Sequence, residues 1–118
     1  MIDKQTLDRA FDERFAPEIK AKLQAARVAV AGLGGLGSNI AVMLARSGVG
    51  HLKLVDFDKV DVTNLNRQMY GIPHLGRFKT DAVRDILADI NPYLDIETVC
   101  VTVCAGHQAN QVLQLILQ

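Results

Sequence analysis

Gly-Leu-Gly-Gly-Leu-Gly occupies residues 32–37, between a short apolar run and a segment with helical periodicity. The apolar run at 28–31 is typical of a buried strand. A strand, a tight turn and a helix in this order direct backbone N–H groups and the positive end of a helix dipole to one point. Gly32 permits the turn, Gly34 lets a ligand approach the backbone, and Gly37 lets the helix pack close to the strand. The stretch therefore predicts a phosphate site, and with it a bound nucleotide.

The composition is that of one small domain with an aliphatic core. The chain has 118 residues, of which 49% are hydrophobic and 5% aromatic. Thirteen Lys and Arg residues balance thirteen Asp and Glu residues, so the charge favours neither nucleic acid nor an anionic membrane as a partner. No signal peptide opens the chain, and no apolar run approaches the length of a membrane span. We therefore expect a cytoplasmic protein.

Neither the cysteines nor the histidines predict a metal site. Cys100 and Cys104 do not have the spacing of metal or redox motifs. On one strand they would lie about 13 Å apart, which is beyond the reach of a disulfide, so we expect reduced thiols. His51, His74 and His107 do not cluster in the sequence.

Helical and strand-like patterns alternate along the chain. A helical pattern over residues 3–24 is split by Pro17. Residues 58–77 are polar and irregular, with glycine and proline as breakers. The patterns in the remaining segments predict, in turn, strand, helix, strand, helix, strand and helix at 27–33, 35–47, 52–57, 78–90, 95–101 and 108–117.

This alternation predicts a parallel sheet with right-handed crossovers. We expect the first half of a Rossmann-like, three-layer, doubly wound α/β fold with strand order 3-2-1, preceded by helices. Residues 1–26 would form an N-terminal helical leader, and residues 27–118 a partial nucleotide-binding domain.

The predicted sheet stops at its third strand. In the complete fold the first strand is central, and a fourth strand pairs with its other side. Here that strand would be an exposed apolar edge, which favours pairing with another chain. We therefore expect this sequence to be the N-terminal part of a longer protein, and we expect a dimer.

Polar residues after the second strand distinguish between nucleotides. Asp56 follows Gly37 by nineteen residues, where a carboxylate can accept hydrogen bonds from a ribose diol of NAD or ATP. Asn64, Arg67 and Lys79 follow it. A dehydrogenase has no need of these three groups, whereas a triphosphate site does, because Arg and Lys neutralise the charge that builds on a leaving pyrophosphate. The set therefore favours ATP.

These motifs resemble the ubiquitin-activating-type adenylyltransferases, in particular the bacterial ThiF/MoeB/HesA family. The matching stretches are Gly-Leu-Gly-Gly-Leu-Gly-Ser at 32–38, Asp-Phe-Asp-Lys-Val-Asp-Val-Thr-Asn-Leu-Asn-Arg-Gln at 56–68, Gly-Arg-Phe-Lys at 76–79 and Ile-Asn-Pro at 90–92. They agree in order and spacing between about residue 25 and residue 104. The leader, with Phe-Asp-Glu-Arg-Phe at 11–15, looks closest to the short ThiF-like proteins of thiamine biosynthesis.

The resemblance implies a reaction and a partner. Members of this family bind ATP and Mg²⁺, adenylylate the C-terminal glycine carboxylate of a ubiquitin-like sulfur-carrier protein, and release pyrophosphate. It implies a homodimer as well. It places the magnesium-binding aspartate and any sulfur-transferring cysteine beyond residue 118, so we expect these residues alone to lack part of the catalytic machinery.

The resemblance also assigns roles to individual residues. Asn64, Arg67 and Lys79 would contact the ATP phosphates as catalytic residues. Arg14, or Arg9 as an alternative, would reach into the neighbouring subunit of a dimer. The residues expected to bind the nucleotide are Gly32, Gly34, Gly35, Gly37, Asp56 for the ribose, Asp58, and Gln68 in support of the motif.

Two other functions stay open on the sequence. An NAD-binding oxidoreductase half-domain would explain the glycine turn and Asp56, but it would leave Asn64, Arg67 and Lys79 without a role. A non-catalytic nucleotide-binding or assembly fragment would be consistent with the missing magnesium ligand and the exposed strand.

Overall fold

Three parallel strands and their flanking helices form the frame of the protein in the computed structural model, which describes residues 2–13 and 15–101. The strands are β1 (Arg27–Ala31), β2 (His51–Asp56) and β3 (Asp95–Cys100). The helices are α1 (Lys4–Asp12), α2 (Pro17–Ala25), α3 (Gly35–Arg46) and α4 (Lys79–Ile90). Two short 3-10 turns, Val62–Asn64 and Ile72–His74, lie between β2 and α4.

The sheet has the order β1-β2-β3, and both strand pairs are parallel. In its register Val30 lies beside Leu54, and Leu54 beside Thr98. The predicted fold class is therefore confirmed as a Rossmann-like α/β arrangement with strand order 3-2-1. The helix predicted at 108–117, together with Cys104 and His107, lies outside the described residues.

The core lies between the sheet and the helices α3 and α4. Successive side chains of a strand point to opposite faces, and those of Val30, Leu52 and Leu54 are buried on the helical side. Ala41 and Leu87 from the two helices meet them with no exposed surface. The opposite face exposes alternate side chains of each strand, namely Ala29, Lys53 and Glu97. The described residues thus supply a helical layer to one face of the sheet.

The two N-terminal helices lie near the amino ends of the strands. The carboxylate of Asp3 caps α1 by accepting the N–H of Thr6 at 2.8 Å. Pro17 begins α2, where its missing N–H removes no helical hydrogen bond, so the predicted split is confirmed. The end of α2 lies against Gly50, because a Cβ there would come within 1.9 Å of the Gln24 carbonyl oxygen. In the part of the chain described, no helix is long and apolar enough to cross a membrane.

The glycine turn connects β1 to α3 through very close backbone packing. Gly32 has a φ of +88°, in the left-handed region that favours glycine. Its N–H donates to the Val55 carbonyl oxygen at 2.8 Å and so extends the ladder beyond β1. A Cβ on Gly37 would lie 1.7 Å from the Gly32 carbonyl oxygen, so the first turn of α3 rests directly on the turn.

We expect Gly37→Ala to lower the free energy of unfolding by about 3 kcal/mol or to prevent folding, because the added methyl group overlaps a backbone oxygen. Gly35→Ala is the matched control in the same turn. Its Cβ would lie 3.5 Å from the Arg67 side chain, an ordinary contact, so its effect should stay within about 1 kcal/mol. Urea unfolding followed by circular dichroism measures both variants. Wild-type stability of Gly37→Ala would contradict this packing.

Candidate functional site

Three segments meet at the carboxyl end of the sheet: the glycine turn, the end of β2 and the connection between β2 and α4. In open parallel sheets, ligands bind outside the carboxyl ends of the strands. The predicted glycine and aspartate positions lie at this edge, since β1 ends before Gly32 and β2 ends at Asp56.

The start of α3 offers unpaired backbone donors. Gly34 is its N-cap residue, and no side-chain hydrogen bond caps the helix in the described structure. The first N–H groups of any helix have no partner within the helix. Together with the positive end of the helix dipole they form a place for an anion.

Asp56 ties the glycine turn to the end of β2. Its side chain is buried, with 8% of its surface exposed. Oδ2 accepts the N–H of Leu33 at 2.6 Å, and Oδ1 accepts the N–H of Asp58 at 2.7 Å. Each carboxylate oxygen keeps further lone-pair capacity, so a ribose hydroxyl would have to share oxygens that already hold the backbone. This structural role was not predicted.

Asp58 contributes to the site through its backbone carbonyl group and not through its side chain. Its side chain is exposed, whereas its carbonyl oxygen accepts the N–H of Lys79 at 2.9 Å and so fixes the beginning of α4. The segment from Asp58 to Lys79 is therefore anchored at both ends.

Residues 61–75 form a loop that we call the arginine loop, after Arg67. Its base is closed by two backbone hydrogen bonds: the N–H of Val60 donates to the Arg77 carbonyl oxygen at 2.8 Å, and the N–H of Gly76 donates to the Val60 carbonyl oxygen at 3.0 Å. Lys59 and Phe78 form an antiparallel bridge beside them. The arginine loop thus begins and ends at the same place in the fold, beside Val60.

Arg67 lies across the first residue of α3. Its Cγ lies 3.5 Å and its Cδ 3.6 Å from the position that a Cβ on Gly35 would occupy. Its Nη1 donates to the Thr63 carbonyl oxygen and to Asn66 Oδ1, each at 3.1 Å. Among the described residues no carboxylate pairs with it. A positive charge that no described carboxylate balances therefore stands beside the open end of α3.

Asn64 and Lys79 add donors to this side of the sheet. Asn64 Oδ1 accepts the N–H of Asp61 at 2.8 Å, which leaves its amide nitrogen as the group that could donate to a ligand. Lys79 is 6% exposed, and no described carboxylate forms an ion pair with it. Hydrogen bonds from Thr63 lower the pKa of Asp61, and the charge of Lys79 adds to this effect.

Gln68 lies directly behind the glycine turn. It is 8% exposed, and its Nε2 is 3.8 Å from the position of a Cβ on Gly34. Its Oε1 is buried and has no hydrogen-bond partner among the described residues. The amide oxygen is therefore an unsatisfied polar atom beside the predicted phosphate site.

Residues 7–118 match the ThiF family. This chain belongs to the ThiF family. The resemblance found in the motifs is confirmed. Relatives within it carry the names of adenylyltransferases and activating enzymes.

Three relatives illustrate the range of this family. The chain is 44% identical over 98 residues to a molybdopterin-synthase adenylyltransferase of Salmonella typhimurium, covering 82% of this chain and 38% of the relative. It is 49% identical over 70 residues to ubiquitin-like modifier-activating enzyme 5 of Caenorhabditis elegans (59% and 17%). It is 48% identical over 75 residues to a tRNA threonylcarbamoyladenosine dehydratase of Bacillus subtilis (63% and 30%). The ThiF-family chain thus spans less than half the length of these relatives.

Solved structures agree with the fold. The E. coli tRNA N6-threonylcarbamoyladenosine dehydratase TcdA in complex with ATP matches with a TM-score of 0.79 and 28% identity, over 94% of this chain and 47% of that one. E. coli MccB matches with a TM-score of 0.70 and 29% identity, over 79% of this chain and 26% of that one.

Two predicted features lie elsewhere. Arg14 is outside the described residues, and Arg9 is exposed on α1, the helix that lies near the amino ends of the strands.

Within residues 2–13 and 15–101, no group of three or more His, Cys, Asp or Glu side chains could hold a metal ion.

Sequence reasoning missed the residues that dock the arginine loop onto the glycine turn. Tyr70 Oη donates to the Leu33 carbonyl oxygen at 2.6 Å. Asn39 Nδ2 donates to the carbonyl oxygens of Gly35 at 2.5 Å and Arg67 at 3.3 Å. Their signal in the sequence is weak: a polar residue early in a helix and a lone aromatic residue in a polar loop.

The phenol of Tyr70 stays protonated near neutral pH and so acts as a hydrogen-bond donor. Only 5% of its surface is exposed. Burial raises the pKa of its phenol above the ordinary value, and the nearby charge of Asp56 adds to the rise. The hydroxyl therefore keeps its proton.

We expect Asp56→Ala to lower the free energy of unfolding by about 2 kcal/mol, because two backbone N–H groups lose a charged acceptor. Asp58→Ala is the control, since it removes an exposed carboxylate and should change stability by less than about 0.5 kcal/mol. Urea unfolding gives both values. Equal stability of the two variants would contradict the structural role of Asp56.

Proposed function

We propose that this site binds ATP and that the protein containing it transfers the adenylyl group to a carboxylate. The observation that carries the proposal is the position of Arg67 across Gly35, at the uncapped start of α3. A dinucleotide needs the glycine turn and a carboxylate for the ribose. An arginine without a carboxylate partner at the same turn suits a more highly charged polyphosphate.

The residues present fit a nucleoside triphosphate. The N–H groups at Gly34 and Gly35 would hold phosphate oxygens, with Arg67 above them and the amide nitrogen of Asn64 beside them. Lys79 would add a second positive charge from the start of α4. Asp56 would hold the ribose with the lone pairs that the backbone leaves unused.

The chain contributes position and charge to the reaction. When ATP is bound it supplies the adenylyl group, and pyrophosphate leaves. Arg67 and Lys79 stabilise the charge that develops on the leaving oxygens, because fixed charges in a partly buried site need no reorganisation. The helix terminus and Asp56 hold the nucleotide at both ends, which orients the α-phosphate toward the attacking carboxylate.

We further propose that the carboxylate is the C-terminal glycine of a ubiquitin-like sulfur-carrier protein, with thiamine biosynthesis as the pathway that the leader motif favours. The molybdopterin-synthase adenylyltransferase and the ubiquitin-like modifier-activating enzyme among the relatives support a carrier of this kind. Mg²⁺ would accompany the ATP, with its aspartate ligand beyond residue 118, as the family resemblance implies.

A tRNA substrate is the second candidate. It is favoured by the 48% identity to a tRNA threonylcarbamoyladenosine dehydratase and by the match to TcdA over 94% of the chain. The balanced charge of the sequence does not favour it. ATP–pyrophosphate exchange by the whole protein, with a carrier protein or tRNA added in turn, distinguishes the two.

We also propose a homodimer, as the family resemblance implies. β1 lies at one side of the three-stranded sheet, and no described strand pairs with its outer edge. Sedimentation velocity measures the assembly state, and a monomer at micromolar concentration would contradict it.

In a thermal-shift assay we expect ATP and AMP to raise the melting temperature and NAD to leave it unchanged. A ligand that binds only the folded state stabilises it by mass action. Stabilisation by NAD alone would favour the oxidoreductase alternative. No shift with any of the three would contradict nucleotide binding by this chain.

We expect Arg67→Ala to raise the dissociation constant for ATP about tenfold, which is a loss of about 1.4 kcal/mol in binding free energy. The binding of AMP should weaken less. Arg67 is exposed, so the fold should survive its removal. Arg46→Ala is the control, because it deletes an exposed arginine at the other end of α3. Isothermal titration calorimetry measures all three proteins, and an unchanged ATP affinity would remove Arg67 from the site.

A further inference from the structure

Leu33 in the glycine turn is held by its backbone from two directions. It is fully buried. Its N–H donates to Asp56 at the end of β2, and its carbonyl oxygen accepts the hydroxyl of Tyr70 from the arginine loop, both at 2.6 Å. One residue of the turn therefore connects the proposed ribose side of the site with the loop that carries Arg67.

The bond from Tyr70 is the shortest described hydrogen bond between the arginine loop and the segment that contains the turn and the start of α3. It is short, and both partners are buried. Two further contacts, from Met69 N–H to Ser38 Oγ and from Asn39 Nδ2 to the Arg67 carbonyl oxygen, are both 3.3 Å long. Distances of that length lie at the weak end of the hydrogen-bond range.

The bond from Tyr70 holds the arginine loop to the turn close to Arg67. The base of the loop closes between Val60 and residues 76 and 77, seven or more residues away from Arg67. Tyr70 is three residues from Arg67 and reaches the turn directly. The phenol hydroxyl therefore fixes the loop to the turn at a point three residues from Arg67.

We propose that Tyr70 is a positioning residue for the nucleotide phosphates, and that it acts by holding Arg67 against the glycine turn. The proposal rests on the proposed ATP site. The ring of Tyr70 belongs to the hydrophobic core cluster, and Tyr70→Phe keeps that ring while it removes the hydroxyl alone. Any change that is confined to phosphate binding then reports the hydroxyl bond.

We expect Tyr70→Phe to raise the dissociation constant for ATP about fivefold, the effect of losing one hydrogen bond, and that for AMP less than about twofold. The ATP-to-AMP ratio is the decisive readout, because a general loss of stability would weaken both ligands equally. Tyr93→Phe is the control. Its hydroxyl donates to the Ile2 carbonyl oxygen at 2.8 Å, near the amino ends of the strands, so both affinities should keep their wild-type values.

A double-mutant cycle tests whether Tyr70 acts through Arg67. In the Arg67→Ala background, Tyr70→Phe should change the ATP affinity by less than about twofold, because the group that it positions is already absent. Independent, multiplying effects would overturn the proposal. Loss of the fold in Tyr70→Phe would assign the hydroxyl to the core and overturn it too.

Amide hydrogen exchange separates this proposal from the proposed function. Without nucleotide, Tyr70→Phe should speed exchange at residues 66–69 and leave β2 unchanged. If the wild-type protein does not bind ATP, the proposed function fails, and the exchange result still decides whether Tyr70 holds the arginine loop. Unchanged exchange at residues 66–69 would overturn the positioning role.

Discussion

The close approach of α3 to the glycine turn is the constraint on which the rest of the structure depends. Because residue 37 has no side chain, the helix lies on the Gly32 carbonyl oxygen, which a Cβ would approach to 1.7 Å. This contact brings the uncapped first turn of α3 to the carboxyl end of the sheet. Backbone N–H groups and the helix dipole then act at one place.

The polar groups around that place fall into two kinds. Asp56 and Tyr70 are occupied by the backbone of Leu33, and they would be needed for the fold even without a nucleotide. Arg67 and Lys79 have no carboxylate partner among the described residues. Their charge remains available to a ligand, which is why the site suits an anion.

Local patterns in the sequence locate most elements to within two residues. The helix predicted at 35–47 is Gly35–Arg46, and the strand predicted at 52–57 is His51–Asp56. The strand predicted at 27–33 ends earlier, at Ala31, because Gly32 turns the chain with its positive φ. Side-chain periodicity reports which face of an element is buried, and the alternation of strands and helices predicts a parallel sheet of the doubly wound kind, whose strand order follows from that fold.

The sequence by itself determined the parallel sheet, the glycine turn and the family, because local periodicity, turn residues and short motifs along the chain signal each of them. Only the tertiary structure decided how the site is assembled. It turned Asp56 toward backbone N–H groups and brought Tyr70 to a carbonyl oxygen 37 residues away. It also laid Arg67 across Gly35. These contacts join segments that are distant in the sequence, and the polar loop that supplies them has no periodicity from which its path could be predicted.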